Sequence, residues 1–301
     1  MMVPSRRLGS VAGWSFDSPA RRLPAGQLRH VATGALLACP LMIFLGAAFY
    51  YPLAYTTVES VTPTHGAGWT LAHYGAFLGS RAGLGVLALT LSLSLAATVL
   101  SILLSLPLAL LLRRQFVGRR ALQFLMMLPI TIPALVGALG LVILYDRTGW
   151  INVVLLRIHV LTRPMVIDYT IPGLVLFYVW MFFPYGGLVI MSGLGAIDPA
   201  LEEAGLVMGA SPMVVFRWVL LPLLSSSLWA GAVMIFLQCF GAFSIPLIAG
   251  GNFQPIGVKI YTVANVFLDW HQASAMAVVM GVIQASLVIA YQSIARTRRP
   301  T

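Results

Sequence analysis

Long apolar stretches dominate the sequence, and short polar segments separate them. Six of these stretches are as long as the ~20 residues that a helix needs to cross about 30 Å of hydrocarbon. Their approximate bounds are 31–51, 84–112, 121–145, 171–191, 226–248 and 274–294, and we call them spans one to six. The pattern predicts an all-α membrane protein, with a bundle of six transmembrane helices over residues 31–295.

Composition supports this prediction. Hydrophobic residues make up 59% of the chain and charged residues 9%, whereas about a quarter of the residues of soluble proteins are charged. The two cysteines, Cys39 and Cys239, lie inside apolar spans. A thiol in such surroundings behaves as a small hydrophobic group, and the pair lacks the spacing of a metal site.

The basic residues are divided unequally between the two sides of the predicted bundle. Thirteen fall on one side: Arg6, Arg7, Arg21, Arg22, Arg29, Arg113, Arg114, Arg119, Arg120, Arg217, Arg296, Arg298 and Arg299. Five fall on the other: Arg81, Arg147, Arg157, Arg163 and Lys259. Under the positive-inside rule the richer side is cytoplasmic, so we expect both termini there.

This distribution also explains the net charge of +10. Residues 1–30 would form a basic cytoplasmic N-terminal tail, and residues 296–301 a basic cytoplasmic C-terminal tail. Because most of the excess charge would lie beside the membrane, anionic lipids are its expected partner. Nucleic acid is therefore not expected to bind.

The residue patterns of common active sites are missing. Lys259 is the only lysine, and Val258 precedes it where a GxxxxGK[ST] phosphate loop requires glycine. The five histidines show neither an HExxH pattern nor pairing with nearby carboxylates. No span has an ionisable residue near its centre, where ion-coupled carriers keep such groups. We expect no catalytic residue, no metal and no cofactor in this chain, and energy from a partner.

The polar segment between spans four and five has helix signals of its own. Asp198 followed by Pro199 is a strong helix start. Glu202 and Glu203 come in the first turn or just beyond it, where the helix dipole favours negative charge. Long connections with such periodicity are usually functional, so we expect a docking element over about 198–222.

The second half of this segment repeats the pattern. Gly209 permits a left-handed exit from the first helix, and Ser211 with Pro212 provides another start. We expect two short helices joined at an angle, the second ending at Pro222. Helices lying on the lipid surface are an alternative interpretation. A helix-turn-helix DNA reader is disfavoured, because Arg217 is the only basic residue of the second helix.

The spacing of this segment resembles the EAA loop of ABC-importer permeases, whose pattern is E-A-A, three residues, G, nine residues, then I-x-L-P. The matching residues are Glu203, Ala204 and Gly205, then Gly209, then Val219, Leu220, Leu221 and Pro222. Gly205 replaces the second alanine, and Val219 replaces isoleucine. The resemblance extends from span one to span six.

This resemblance implies the type I ABC importer permease fold and a multi-pass protein of the bacterial inner membrane. It implies a non-catalytic subunit that pairs with an identical or different second permease and with two cytosolic ATPase subunits, which bind ATP and Mg. An extracytoplasmic substrate-binding protein would deliver the solute. The implied ATPase-coupling residues are Glu202, Glu203, Ala204, Gly205, Gly209, Ala210, Ser211 and Pro222.

The substrate is less clearly indicated. Met208, where sugar permeases commonly have aspartate, and the run GAFSIPLIAGG are similar to the polyamine (spermidine/putrescine, PotB-type), opine, phosphonate and ferric-iron branch. Sugar, glycerol phosphate and sulfate are alternatives, and a stand-alone channel or secondary carrier is the alternative class. A polyamine would need aromatic faces or neutral oxygens. Candidates for the translocation pathway are Tyr178, Trp180, Tyr185, Gln238 and Ser244, which could equally serve helix packing.

Overall fold

The computed structural model describes residues 38–297, with the backbone alone for 294–297. These residues form helices and no strand, which confirms the all-α prediction. In chain order we label the helices α1 (Ala38–Val61), α2 (Ala72–Leu78), α3 (Arg81–Arg113), α4 (Arg119–Thr131), α5 (Ala134–Tyr145), α6 (Trp150–Arg157), α7 (Ile171–Gly195), α8 (Pro199–Val207), α9 (Pro212–Phe240), α10 (Ser244–Ala249), α11 (Ile256–Asn265) and α12 (Trp270–Thr297). The described part holds six helical stretches long and apolar enough to cross a membrane. The predicted tail 1–30, residues 31–37 of span one and residues 298–301 lie outside the described residues.

The chain divides into two units, Met1–Ala54 and Tyr55–Thr301. In the first unit the described residues are all helical, with a π turn at Gly46–Tyr50. Its large apolar side chains, such as Phe44, are exposed, as suits a helix surrounded by hydrocarbon.

Three long helices, α3, α7 and α9, pack together in the second unit. Their buried side chains include Leu93, Tyr178 and Ile235. Helices α7 and α9 approach closely, since a Cβ added at Gly231 would lie only 3.4 Å from the Cα of Gly186. Small residues favour helix association in lipid because they let two backbones meet.

Span three is not the single helix that we predicted over 121–145. The predicted range is divided between α4 and α5, which are separated at Ile132 and Pro133. The third helical stretch long and apolar enough to cross a membrane is Ala134–Arg157, which contains α5 and α6. Ile132 is extended, with φ −87° and ψ 128°, because the residue before a proline is pushed out of the helical region. The prediction of a continuous helix was wrong at this point.

Span five also differs from its predicted range of 226–248. Helix α9 begins well before that range and ends at Phe240, and α10 is a separate short helix. A continuous helix would bring the ring of Pro246 against the carbonyl of Ala242. The following helix, α11, was not predicted, and it begins where the N–H of Ile256 donates to Oγ1 of Thr90 at 2.8 Å.

Candidate functional site

The segment between α7 and α9 begins as the sequence predicts. An oxygen of the Asp198 side chain accepts a hydrogen bond from the N–H of Ala200 at 2.9 Å, and Pro199 is the first residue of α8. The cap satisfies one free N–H of the first turn, and proline has none to satisfy. These contacts confirm the predicted helix start.

Gly209 ends α8 with a left-handed residue, at φ +88°. The N–H of Ala210 donates to the carbonyl of Gly205 at 3.1 Å, and the N–H of Gly209 donates to that of Leu206 at 3.0 Å. This pair of hydrogen bonds is the Schellman motif, which satisfies carbonyls at a helix end and needs φ above zero. The predicted exit at Gly209 is confirmed.

The second helix is not short, and our prediction that it ends at Pro222 was wrong. Helix α9 continues from Pro212 through Pro222 to Phe240 as one span of 29 residues. Directly before Pro222 the chain forms a π turn, Phe216–Leu220. The wider turn moves the backbone carbonyls that the proline ring would strike in a regular α-helix. Ser211 precedes α9 as predicted, but its side chain makes no capping hydrogen bond.

Helices α8 and α9 touch at Gly205. Gly205 is buried, and a Cβ added there would lie 2.9 Å from Cγ2 of Val215. Val215 is itself only 4% exposed. This close contact explains why the chain has glycine here where the EAA pattern has alanine, because glycine lets α8 and α9 approach.

The coupling residues predicted from the sequence fall into exposed and internal groups. The exposed group contains Glu203, Ala204, Gly209, Ser211 and Pro222, and Ala210 is partly exposed. An apolar tip adjoins them, because Val207 is 88% and Met208 82% exposed. All of them except Pro222, which lies further along α9, are in or near the turn between α8 and α9.

Glu202 belongs to the internal group with Gly205. Its carboxylate lies 2.8 Å from the guanidinium of Arg113 at the end of α3. From the sequence we predicted only an orientation role for Arg113, because this contact joins residues 89 positions apart in the chain. Beside the pair lies a cleft of about 660 Å³, which is also lined by Arg114, Leu206 and Phe216.

The five candidate pathway residues do not share one environment. Tyr178 is only 1% exposed in the core, and its hydroxyl has no hydrogen-bond partner among the described residues. Trp180, Tyr185 and Ser244 are partly buried, whereas Gln238 is exposed on α9. Tyr178 packs in the core of this structure, and the pathway assignment of all five residues remains a prediction.

A contact at the other end of the helices contradicts our view of the histidines. Nδ1 of His271 lies 3.2 Å from Oε1 of Glu59, so this histidine does pair with a carboxylate. The ring of His73 stacks on the ring of His271, with ring centroids 5.6 Å apart. The partners are 212 residues apart in the chain, which local spacing cannot reveal. Among the described residues no group of three or more His, Cys, Asp or Glu is arranged to hold a metal ion.

The sequence matches a known family over most of the described helices. Residues 101–299 match the binding-protein-dependent transport system inner membrane component. The chain belongs to this family. The permease is therefore a membrane component of ABC importers, with six apolar helices, and a multi-pass inner membrane protein.

Relatives of the permease transport different solutes. It is 26% identical over 208 residues to the spermidine/putrescine transport system permease protein PotB of Escherichia coli K12, covering 68% of this chain and 76% of that protein. It is 29% identical over 216 residues to the probable sulfate transport system permease protein cysT of Nephroselmis olivacea, covering 70% and 74%.

Solved structures have the same fold. The permease superposes with a TM-score of 0.74 and 17% identity on a chain of a bacterial alginate ABC transporter in complex with an alginate pentasaccharide-bound periplasmic protein, covering 90% of this chain and 96% of that one. It superposes with a TM-score of 0.55 and 18% identity on a chain of the inward-facing MetNI methionine ABC transporter, covering 73% and 100%. The type I importer permease fold expected from the EAA-like spacing is confirmed.

Proposed function

We propose that the permease is the non-catalytic membrane subunit of an ATP-driven importer, and that segment 198–222 docks on cytosolic ATPase subunits. The observation that carries this proposal is the exposed Glu203 beside the apolar tip of Val207 and Met208, on a turn held at Gly209. Protein interfaces combine buried apolar area with polar contacts at the rim. A capped and ordered turn also loses little conformational freedom when it binds. The ATPase subunits would bind ATP and Mg.

The proposed orientation places this segment and both termini in the cytoplasm. Arg113 lies at the same end of the helices as α8, and Arg114, Arg119 and Arg120 follow it closely in the chain. Such a concentration of arginine is typical of the cytoplasmic side. On the other side, an extracytoplasmic binding protein would deliver the solute to this permease and a second permease subunit. The alginate transporter of similar fold, solved with a periplasmic protein, supports these kinds of partner.

We further propose a polyamine-like organic cation as the solute. The similarity to PotB supports this choice. Trp180 and Tyr185 keep part of their surface exposed, as does Ser244, and Gln238 is exposed. Aromatic faces attract cations by about 0.5–2 kcal/mol, and neutral oxygens can accept hydrogen bonds from ammonium groups. The similarity to a probable sulfate permease makes sulfate the second candidate.

The solute can be tested on the extracytoplasmic binding protein that we propose delivers it to this permease. We expect spermidine or putrescine to raise its melting temperature, and sulfate, phosphonate, ferric iron, glycerol phosphate and sugars to leave it unchanged. Stabilisation by sulfate alone would overturn the polyamine proposal. It would leave the proposed role in an ATP-driven importer intact.

ATPase coupling can be tested in proteoliposomes that contain both permeases and the ATPase subunits. Glu203→Ala is expected to reduce ATP-driven uptake and ATPase co-purification without changing membrane insertion. Asp146→Ala is the matched control, because Asp146 is a partly exposed carboxylate just after α5, far along the chain from the segment. Normal uptake and co-purification with Glu203→Ala would contradict the docking proposal. Solute flux through this chain alone, without ATPase, would instead support a channel or secondary carrier.

A further inference from the structure

One guanidinium joins the end of α3 to the start of α8. Arg113 is the last residue of α3, and its Nη2 donates to the carbonyl oxygen of Ile197 at 2.9 Å and lies 2.8 Å from Oε1 of Glu202 in an ion pair. Ile197 directly precedes the capping residue Asp198, and Glu202 lies in the first turn of α8. One acceptor lies just before the start of α8 and the other just after it. Arg113 therefore fixes the position of this helix start, in addition to balancing the charge of Glu202.

The surroundings strengthen this contact. The side chains of Arg113 and Glu202 are 18% and 29% exposed, and charge-assisted hydrogen bonds shielded from water are stronger than exposed ion pairs. A cation at the end of α3 and an anion at the start of α8 also complement the dipoles of these helices. The end of α3 is held in turn by Arg119, whose Nε donates to the carbonyl of Leu112 at 2.7 Å.

Helix α8 has two different kinds of contact with the helices that cross the membrane. Against α9 it packs through Gly205 and Val215, an apolar contact with no directional bond. Against α3 it is held by Arg113, through the ion pair with Glu202 and the hydrogen bond to the carbonyl of Ile197 just before α8, and the planar guanidinium fixes the direction of that bond. Helix α3 packs along α7 and α9, so a displacement of its end reaches the core of the second unit.

We propose that Arg113 is a positioning residue that makes α3 follow the movement of α8 when the ATPase subunits close. This inference rests on the proposed docking of segment 198–222. Without the contact, the ATPase would still bind and hydrolyse ATP, but less of the movement of α8 would reach α3. Loss of Arg113 should therefore lower the number of solute molecules transported per ATP, and it should lower ATPase binding little.

The test compares variants in proteoliposomes that contain the complete transporter. Arg113→Gln removes the charge, and Arg114→Gln is the matched control, because Arg114 is the exposed neighbour and makes no ion pair within the described residues. We expect Arg113→Gln to keep ATPase co-purification and to lower transport per ATP by about tenfold, the scale of a lost charged hydrogen bond. Arg114→Gln should match the wild type.

Two further variants separate positioning from a general loss of structure. Arg113→Lys keeps a cation that can donate both to the carbonyl of Ile197 and to the carboxylate of Glu202, and it should keep transport per ATP above the level of Arg113→Gln. If Arg113→Gln does not insert in the membrane, Glu202→Gln removes the same pair from the other side and should show the same uncoupling.

Three results would overturn the inference: unchanged transport per ATP in Arg113→Gln, an equal loss in Arg114→Gln, or a loss in Arg113→Lys as large as in Arg113→Gln. Failure of the proposed function would be seen in the wild-type permease, before any variant is compared. In that case the wild-type permease itself would not bind the ATPase subunits, or it would transport without ATP.

Discussion

Replacing Gly205 by alanine should weaken the segment that we propose to dock on the ATPase, although alanine is the residue of the EAA pattern at this position. The new methyl group would lie 2.9 Å from Cγ2 of Val215, which is closer than carbon atoms normally approach. Val215 is buried and β-branched, so it has little freedom to turn away. The helices α8 and α9 would have to separate.

Two opposing effects set the size of the change. Alanine favours a helix over glycine by about 1 kcal/mol, whereas an extra methyl group in a packed site costs about 1–3 kcal/mol. We therefore expect Gly205→Ala to destabilise the segment by about 1 kcal/mol. In a Val215→Ala background the close contact is absent, and the same substitution should stabilise it by about 1 kcal/mol.

Amide hydrogen exchange in lipid nanodiscs is the appropriate assay, since it reports the free energy of local opening. Exchange over residues 199–215 would be measured in the wild type, both single variants and the double variant. The double-mutant cycle should give a coupling energy of about 1–3 kcal/mol between the two sites. Equal effects of Gly205→Ala in both backgrounds would refute the explanation of why this chain has glycine there.

Other predictions concern single residues whose contacts are well defined. Gly209→Ala should cost about 1–2 kcal/mol of local stability, because φ is +88° there. Gly195→Ala should cost nothing, since a Cβ there meets no atom within 4 Å. Amide hydrogen exchange around each position measures the two effects. Thr90→Val should expose the first turn of α11 to exchange by leaving the N–H of Ile256 unpaired, at about 1–3 kcal/mol, and Thr90→Ser should not. Asn152 is fully buried and makes four hydrogen bonds to backbone atoms, so Asn152→Leu should lower the melting temperature of the purified permease, and an unchanged value would contradict the structural role.

Local signals in the sequence predict local features of the structure well. Asp198 with Pro199 begins a helix, and Gly209 ends it, because caps and left-handed turns depend on a few neighbouring residues. The six apolar stretches were also recognisable, because the length and hydrophobicity of a membrane helix are properties of the chain itself. The effect of proline on the helix ends was predicted less well. Pro222 was taken as an end although a π turn accommodates it, and Pro133 was overlooked although it divides span three.

The contacts that connect distant parts of the chain were not predictable from one sequence. Arg113 is one of several arginines that indicate orientation in the membrane, and Glu202 suits the dipole of its own helix. Neither residue indicates that the other lies beside it. The same holds for His271 and Glu59, which meet across 212 residues. The exposure of individual side chains was also not predictable. Tyr178 and Gln238 both lie in apolar spans, yet Tyr178 is buried and Gln238 is exposed.

The continuity of α9 has a mechanical consequence. Its 29 residues at 1.5 Å each make a rod about 43 Å long, so the turns that touch α8 and the far end at Phe240 belong to one lever. Tilting such a lever by about 5° at its base would carry its tip through about 4 Å, a distance comparable to the width of a small solute. The π turn Phe216–Leu220 lies near the base of the lever, so its stiffness would set how much of the tilt reaches the tip.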